Sequence, residues 1–174
     1  DEKGNVWGKH KRKLYSGYIT KYLFQDIIMH SCGAMFPKRV LVEAGGFDET
    51  LPVCSDYDLH LRLSLKYRFI ALSRPTFKRR RHSSNLSARS AANRIVEFKV
   101  LESFYYKKGG DKVVPRRIAM RRLSQEGYRV GLCAVREKDF NLACEYLSKS
   151  FRCHPNIKSL TMWVTAVLKK CLIS

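Results

Sequence analysis

The polar, small-residue stretch at 83–93, SSNLSARSAAN, divides the chain into two kinds of sequence. Ahead of it, short apolar patterns at helical spacing alternate with short segments that read as strands. Behind it, the apolar positions recur only at the spacing of an α-helix. A chain that changes period in this way is not one repeated layer. The change predicts an α/β part with a mixed sheet over 1–88 and an all-α part over 89–174.

In the first part, Ile19, Tyr22, Leu23 and Ile27 fall near helical spacing within GYITKYLFQDII. The HSCGAMFP that follows is short and rich in small residues, which suits backbone that something else approaches closely. Pro37 opens a helix over KRVLVEAG, and Gly45 and Gly46 stop it. Phe47 then reads as a core anchor. Ser55 or Asp56 suits the N-cap of a further helix, DYDLHLRLSLKY, with Leu59 and Leu63 on its apolar face. RFIALS at 68–73 reads as a strand, and Pro75 starts a second one, TFKRRRH.

In the second part, Ile95, Phe98, Leu101 or Glu102, and Tyr105 follow helical spacing, and Lys107-Lys108-Gly109-Gly110 breaks that helix. Pro115 starts the next. Gly131 is followed 12 residues later by Ala143, then by Ser150 and Pro155. Those small positions and that proline are placed as in a tetratricopeptide repeat, with Lys138-Asp139-Phe140 as the turn of a helical hairpin. One such unit is visible, so an ordinary hairpin explains the pattern equally well. The tail, SLTMWVTAVLKKCLIS, has an apolar body around Met162, Trp163, Val167 and Leu168, with Lys169 and Lys170 near its end.

The net charge is +19, with 34 Lys+Arg against 15 Asp+Glu. It is spread along the chain: 16 basic against 8 acidic residues up to Ala88, and 18 against 7 from Arg89. Such a balance favours phosphate-bearing partners, whether nucleotide sugars, anionic head groups or nucleic acid. The six cysteines have irregular spacings and no C-x-x-C, which argues against a zinc site and for thiols in a reducing compartment. No signal peptide or membrane-spanning run is visible.

Three segments in order carry a resemblance. They are SCGAMFPKRVLVEAGGFDETL at 31–51, SDYDLHLRL at 55–63 and RRHSSNLS at 80–87. Together the region from Ile28 to Ser87 resembles the family 2 glycosyltransferases of the GT-A fold. The resemblance implies the C-terminal half of a Rossmann-like GT-A domain over 1–88, holding the acceptor and catalytic-base region, with the α-helical extension after it. It implies an inverting enzyme that moves a sugar from a nucleotide-diphosphate donor to a hydroxyl of a polysaccharide, lipid-linked glycan or protein.

Asp56 matches the family's catalytic base, and a carboxylate at a helix start can take the proton of an attacking hydroxyl. Position 55 is Ser where the family usually has Glu. Asp58 is the second candidate, on the acceptor side with Gly33 and Ala34. Arg80 and Arg81 are placed to neutralise the donor diphosphate, since guanidinium pairs bidentately with phosphate. His82 matches a family histidine that approaches the metal or diphosphate. The resemblance also implies Mg²⁺ or Mn²⁺, whose main carboxylate ligands do not precede residue 28. DEKGN resembles the segment just after the family's metal loop, so the sequence reads as a fragment that starts past the donor site and is inactive by itself. Two alternatives remain: a degenerate glycosyltransferase-like binding protein, and a basic helical module that binds nucleic acid. The expected location is cytoplasmic, peripheral to the inner face of a membrane.

Overall fold

The computed structural model describes residues 13–74, 76–78 and 90–173. The chain forms two compact units, Asp1–Ala88 and Arg89–Ser174. The first holds α1 (Thr20–Gln25), α2 (Lys38–Glu43) and α3 (Ser55–Ser64), with a 3₁₀ turn at Ser31–Gly33. The second holds α4 (Ala91–Lys107), a 3₁₀ turn at Gly110–Lys112, α5 (Arg116–Arg136), α6 (Phe140–Cys153) and α7 (Ile157–Ile173).

The α/β expectation is overturned. Among the described residues there is no sheet, and the chain is helical rather than a Rossmann-like GT-A domain. A strand is stable only as part of a ladder. Of the segment 68–73, Phe69 alone pairs, exchanging backbone bonds of 2.7 and 2.9 Å with Gly17. Its neighbours Ile70 and Leu72, which a mixed sheet would bury, are exposed. Thr76, Phe77 and Lys78 have no regular structure either, and the rest of TFKRRRH lies outside the described residues.

In the first unit, α3 is the central element. Leu59 and Leu63 are fully buried, one turn apart, and pack with Val40 of α2 and with Phe36, Tyr67 and Phe69. Tyr57 donates its hydroxyl to the Leu23 carbonyl at 2.7 Å, and Thr20 donates to the Ser64 carbonyl at 2.8 Å. Those two bonds fasten α1 along both ends of α3. Gly45 and Gly46 close α2 at φ 76° and 67°, a left-handed pair that only glycine adopts without strain. Phe47, expected in the core, is 51% exposed.

In the second unit, α5 and α6 form a hairpin. Lys138 turns the chain at φ 61°, and the Asp139 carboxylate caps α6 by accepting from Leu142 N–H at 3.0 Å. Gly131 lets the helices close: a Cβ there would lie 2.5 Å from Leu147 Cγ. Ser150, buried, donates to the Ser124 carbonyl at 2.7 Å and meets Ser159 Oγ of α7 at 2.7 Å. Pro155 lies between α6 and α7.

A second polar feature of this unit lies between α4 and α5. Glu126 is fully buried and accepts from Arg122 and Arg129 on its own helix. Glu97 of α4 accepts from Arg122 at 2.9 Å and from Arg94 at 2.8 Å, and Arg94 also reaches Glu126 at 3.4 Å. Burial, then the neighbouring Glu126 carboxylate, pushes the Glu97 carboxyl upward against the pull of Arg122, Arg94 and Arg129.

Candidate active site

The first turn of α3 is set by an unusual residue. Cys54, the N-cap, has φ 63° and makes no side-chain cap. Positive φ is costly for a residue with a Cβ, so the surroundings hold it there. The two acids that follow fall in the helix's first turn, where the helix dipole favours negative charge.

The carboxylates diverge. Asp58 is 1% exposed, and Oδ2 accepts from Arg62 Nε at 2.8 Å, one turn along α3. The other guanidinium nitrogens of Arg62 donate to the carbonyls of Ala44 and, at 2.7 Å, Gly46. Asp58 therefore aims the fork that clamps the end of α2 onto α3. This ties the GGFDE and DYDLHLRL segments into one frame.

Asp56 is half-buried, the second residue of α3. Oδ1 accepts from Tyr57 N–H at 2.8 Å, which satisfies a donor of the first turn that Cys54 leaves open. Oδ2 accepts from Ser31 Oγ at 3.3 Å. Ser31 Oγ also stands 3.5 Å from His60 Nε2. Serine has one hydrogen, and an ionised carboxylate only accepts. With that hydrogen on Asp56, the serine oxygen accepts from His60 Nε2–H. The result is a directed chain from His60 through Ser31 to Asp56.

His60 is 1% exposed and packs its ring on Phe36, with centroids 5.6 Å apart. Burial lowers its pKa below 6.5; Asp56 opposes the shift and His30 adds to it. The imidazole is thus mostly neutral near pH 7, and its Nε2–H tautomer makes the directed chain. The folded chain then resists protonation while the unfolded chain takes the proton. The stability tied to His60 is present above about pH 6.5 and drains as pH falls through the lower folded value. His60→Gln is expected to flatten the loss of stability as pH falls below about 6.5. Denaturant midpoints across that range test this, and an unchanged slope would contradict it.

Gly33 and Ala34 lie beside this group. The Phe77 ring covers the turn: a Cβ at Gly33 would come within 2.6 Å of it, and the same ring meets His30 edge-on at 6.2 Å. The structure thus gathers Asp56, Gly33 and Ala34 around the Ser31 turn and places Asp58 inside the frame. Arg80, Arg81 and His82 lie outside the described residues. Among the described residues no three of His, Cys, Asp and Glu gather as metal ligands. Sequence reasoning missed Ser31 and His60. The four-residue step from Asp56 to His60 was the available signal, since it puts both on one helix face.

A carboxylate held at a helix start by a serine and a buried neutral histidine is an arrangement able to take a proton from a hydroxyl. The model of the family described as glycosyltransferase-like family 2 matches residues 5–112, more than half of the chain, and the chain belongs to that family. The match runs beyond the three motifs, through α4 to Lys112. No curated protein and no solved structure matches the chain.

Proposed function

We propose that the chain supplies the acid–base side of glycosyl transfer, with Asp56 as the base. The acceptor hydroxyl gives its proton to the Asp56 carboxylate as its oxygen attacks the anomeric carbon. The bond from that carbon to the diphosphate breaks, and the nucleoside diphosphate leaves with the electron pair. Attack opposite the leaving group inverts the anomeric centre. The Ser31 hydroxyl and, behind it, His60 fix the direction of the carboxylate, so that it need not reorient during the step.

The observation that carries this reading is Asp56 itself. It is a half-buried carboxylate at the start of α3 with Ser31 on one oxygen, inside the segment that the family model matches. In the same reading Arg80 and Arg81 neutralise the departing diphosphate, and His82 approaches it. Gly33 and Ala34 stand on the acceptor side, where the Phe77 ring covers Gly33. Mg²⁺ or Mn²⁺ on the donor diphosphate belongs to the family reaction, while the described residues supply the acid–base side. A glycan or lipid-linked acceptor fits the hydroxyl chemistry, and a lipid-linked one would draw the protein to the surface of a membrane.

The test is release of nucleoside diphosphate from a panel of uridine- and guanosine-diphosphate sugars, by the whole protein, with and without a hydroxyl acceptor. Acceptor-dependent release from at least one donor is expected. No release from any donor, with the protein folded, would contradict the reading.

A further inference from the structure

The last helix presents an apolar face to the outside. On α7, Ser159 and Ala166 are buried, and Met162 packs against the core with them. About half a turn away, at 3.6 residues per turn, lies a stripe of Ile157, Leu160, Val164, Leu168 and Leu172, with Trp163 at its edge. Each of the six is more than a third exposed; Leu168 reaches 60% and Leu172 84%. The sequence centres the apolar body on Met162, Trp163, Val167 and Leu168; in the structure Met162 packs inward, while Trp163 and Leu168 are exposed.

Two further observations say what this face fits. Thr161 and Thr165 border the stripe, and their hydroxyls donate back to the carbonyls of Ile157 and Thr161 at 3.0 and 2.9 Å. That bonding satisfies both hydroxyls within the helix, so these exposed residues add little polarity beside the stripe. The helix also carries three lysines and no acidic residue. By helical register Lys158 and Lys169 flank one side of the stripe and Lys170 the other, and all three are exposed. An apolar stripe with basic flanks and a tryptophan at its edge is the pattern of a helix that lies in a membrane interface. No described helix is long and apolar enough to cross a membrane.

We infer that the outward face of α7 docks on an anionic lipid surface, with the stripe among the upper acyl chains and the lysines at the phosphates. The inference deepens the proposed function by naming how the protein reaches a membrane-bound acceptor, and rests on that reading only for the purpose of the contact.

Vesicle co-sedimentation of the whole chain, with no donor present, tests it apart from transfer. Vesicles of phosphatidylcholine with phosphatidylglycerol are expected to bind the chain at low salt, and pure phosphatidylcholine only weakly. K158Q/K169Q should weaken binding to the anionic vesicles by roughly 25-fold, since each lysine contributes about fivefold. V164D/L168D, at positions already exposed, should fold normally by circular dichroism and lose vesicle binding. A chain that stays in the supernatant with anionic vesicles would overturn the inference. So would binding that V164D/L168D leaves unchanged, since diffuse surface charge would then account for it. A dimer that V164D/L168D dissociates, with no vesicle affinity in the parent chain, would assign the stripe to a second copy instead.

Discussion

Glu126→Ala is expected to destabilise the helical unit by about 3–5 kcal/mol, the usual cost of removing one member of a buried ion pair. The effect is large because of what stays behind. Arg122 is 4% exposed, and losing Glu126 leaves Glu97 as the one carboxylate of the network facing Arg94, Arg122 and Arg129. Two acids against three arginines become one, and Arg122 is the arginine that water does not reach to compensate, whereas Arg129 is exposed. Urea denaturation measures the change. The charge-removing double variant Arg122→Met, Glu126→Leu should cost less than Glu126→Ala, because it removes the buried guanidinium together with one of its partners. A loss for Glu126→Ala within about 0.5 kcal/mol, the scale of ordinary surface substitutions, would show that the network carries little.

That network also shows where sequence reasoning reached its limit. Arg122 and Glu126 sit four residues apart on one helix, but Glu97, which completes the network, lies 25 residues from Arg122. The spread of basic residues after Arg89 therefore overstated the charge open to partners. The helices themselves were legible, because their limits are written locally: Pro115 precedes α5, Asp139 caps α6 and Gly109-Gly110 follow α4. The strands were not, because RFIALS satisfies a local preference but needs a neighbour to pair with, and Phe69 finds one only at Gly17 among the described residues.

The same distinction applies to the candidate site. Asp56 at a helix start was legible from SDYDLHLRL. Ser31, 25 residues away, comes to it only through the fold. Asp58 and Asp56 look equivalent in sequence, two residues apart. One helical turn separates Asp58 from Arg62, and that pairing draws it inward while Asp56 stays half-buried. On α7, apolar residues lie on the inward side and on the outward stripe alike, so composition did not choose between them; Ser159, in contact with Ser150, lies on the inward side.

Asp56→Asn is the second substitution with a large expected effect. Asparagine keeps the size of the side chain and one carbonyl oxygen to accept from Tyr57 N–H or Ser31 Oγ, so the frame around α3 should persist. It does not take a proton from a hydroxyl at neutral pH. A positioned general base contributes about 10²–10⁴-fold to such a step, so transfer should fall by that factor while donor binding is kept. The direct measurement is single-turnover sugar transfer by the whole protein, wild type against Asp56→Asn, with donor affinity and thermal unfolding recorded on the same samples. The base assignment predicts a loss of about 10²-fold or more in the transfer rate, with affinity and stability near wild type. Transfer at the wild-type rate by folded Asp56→Asn protein would contradict it.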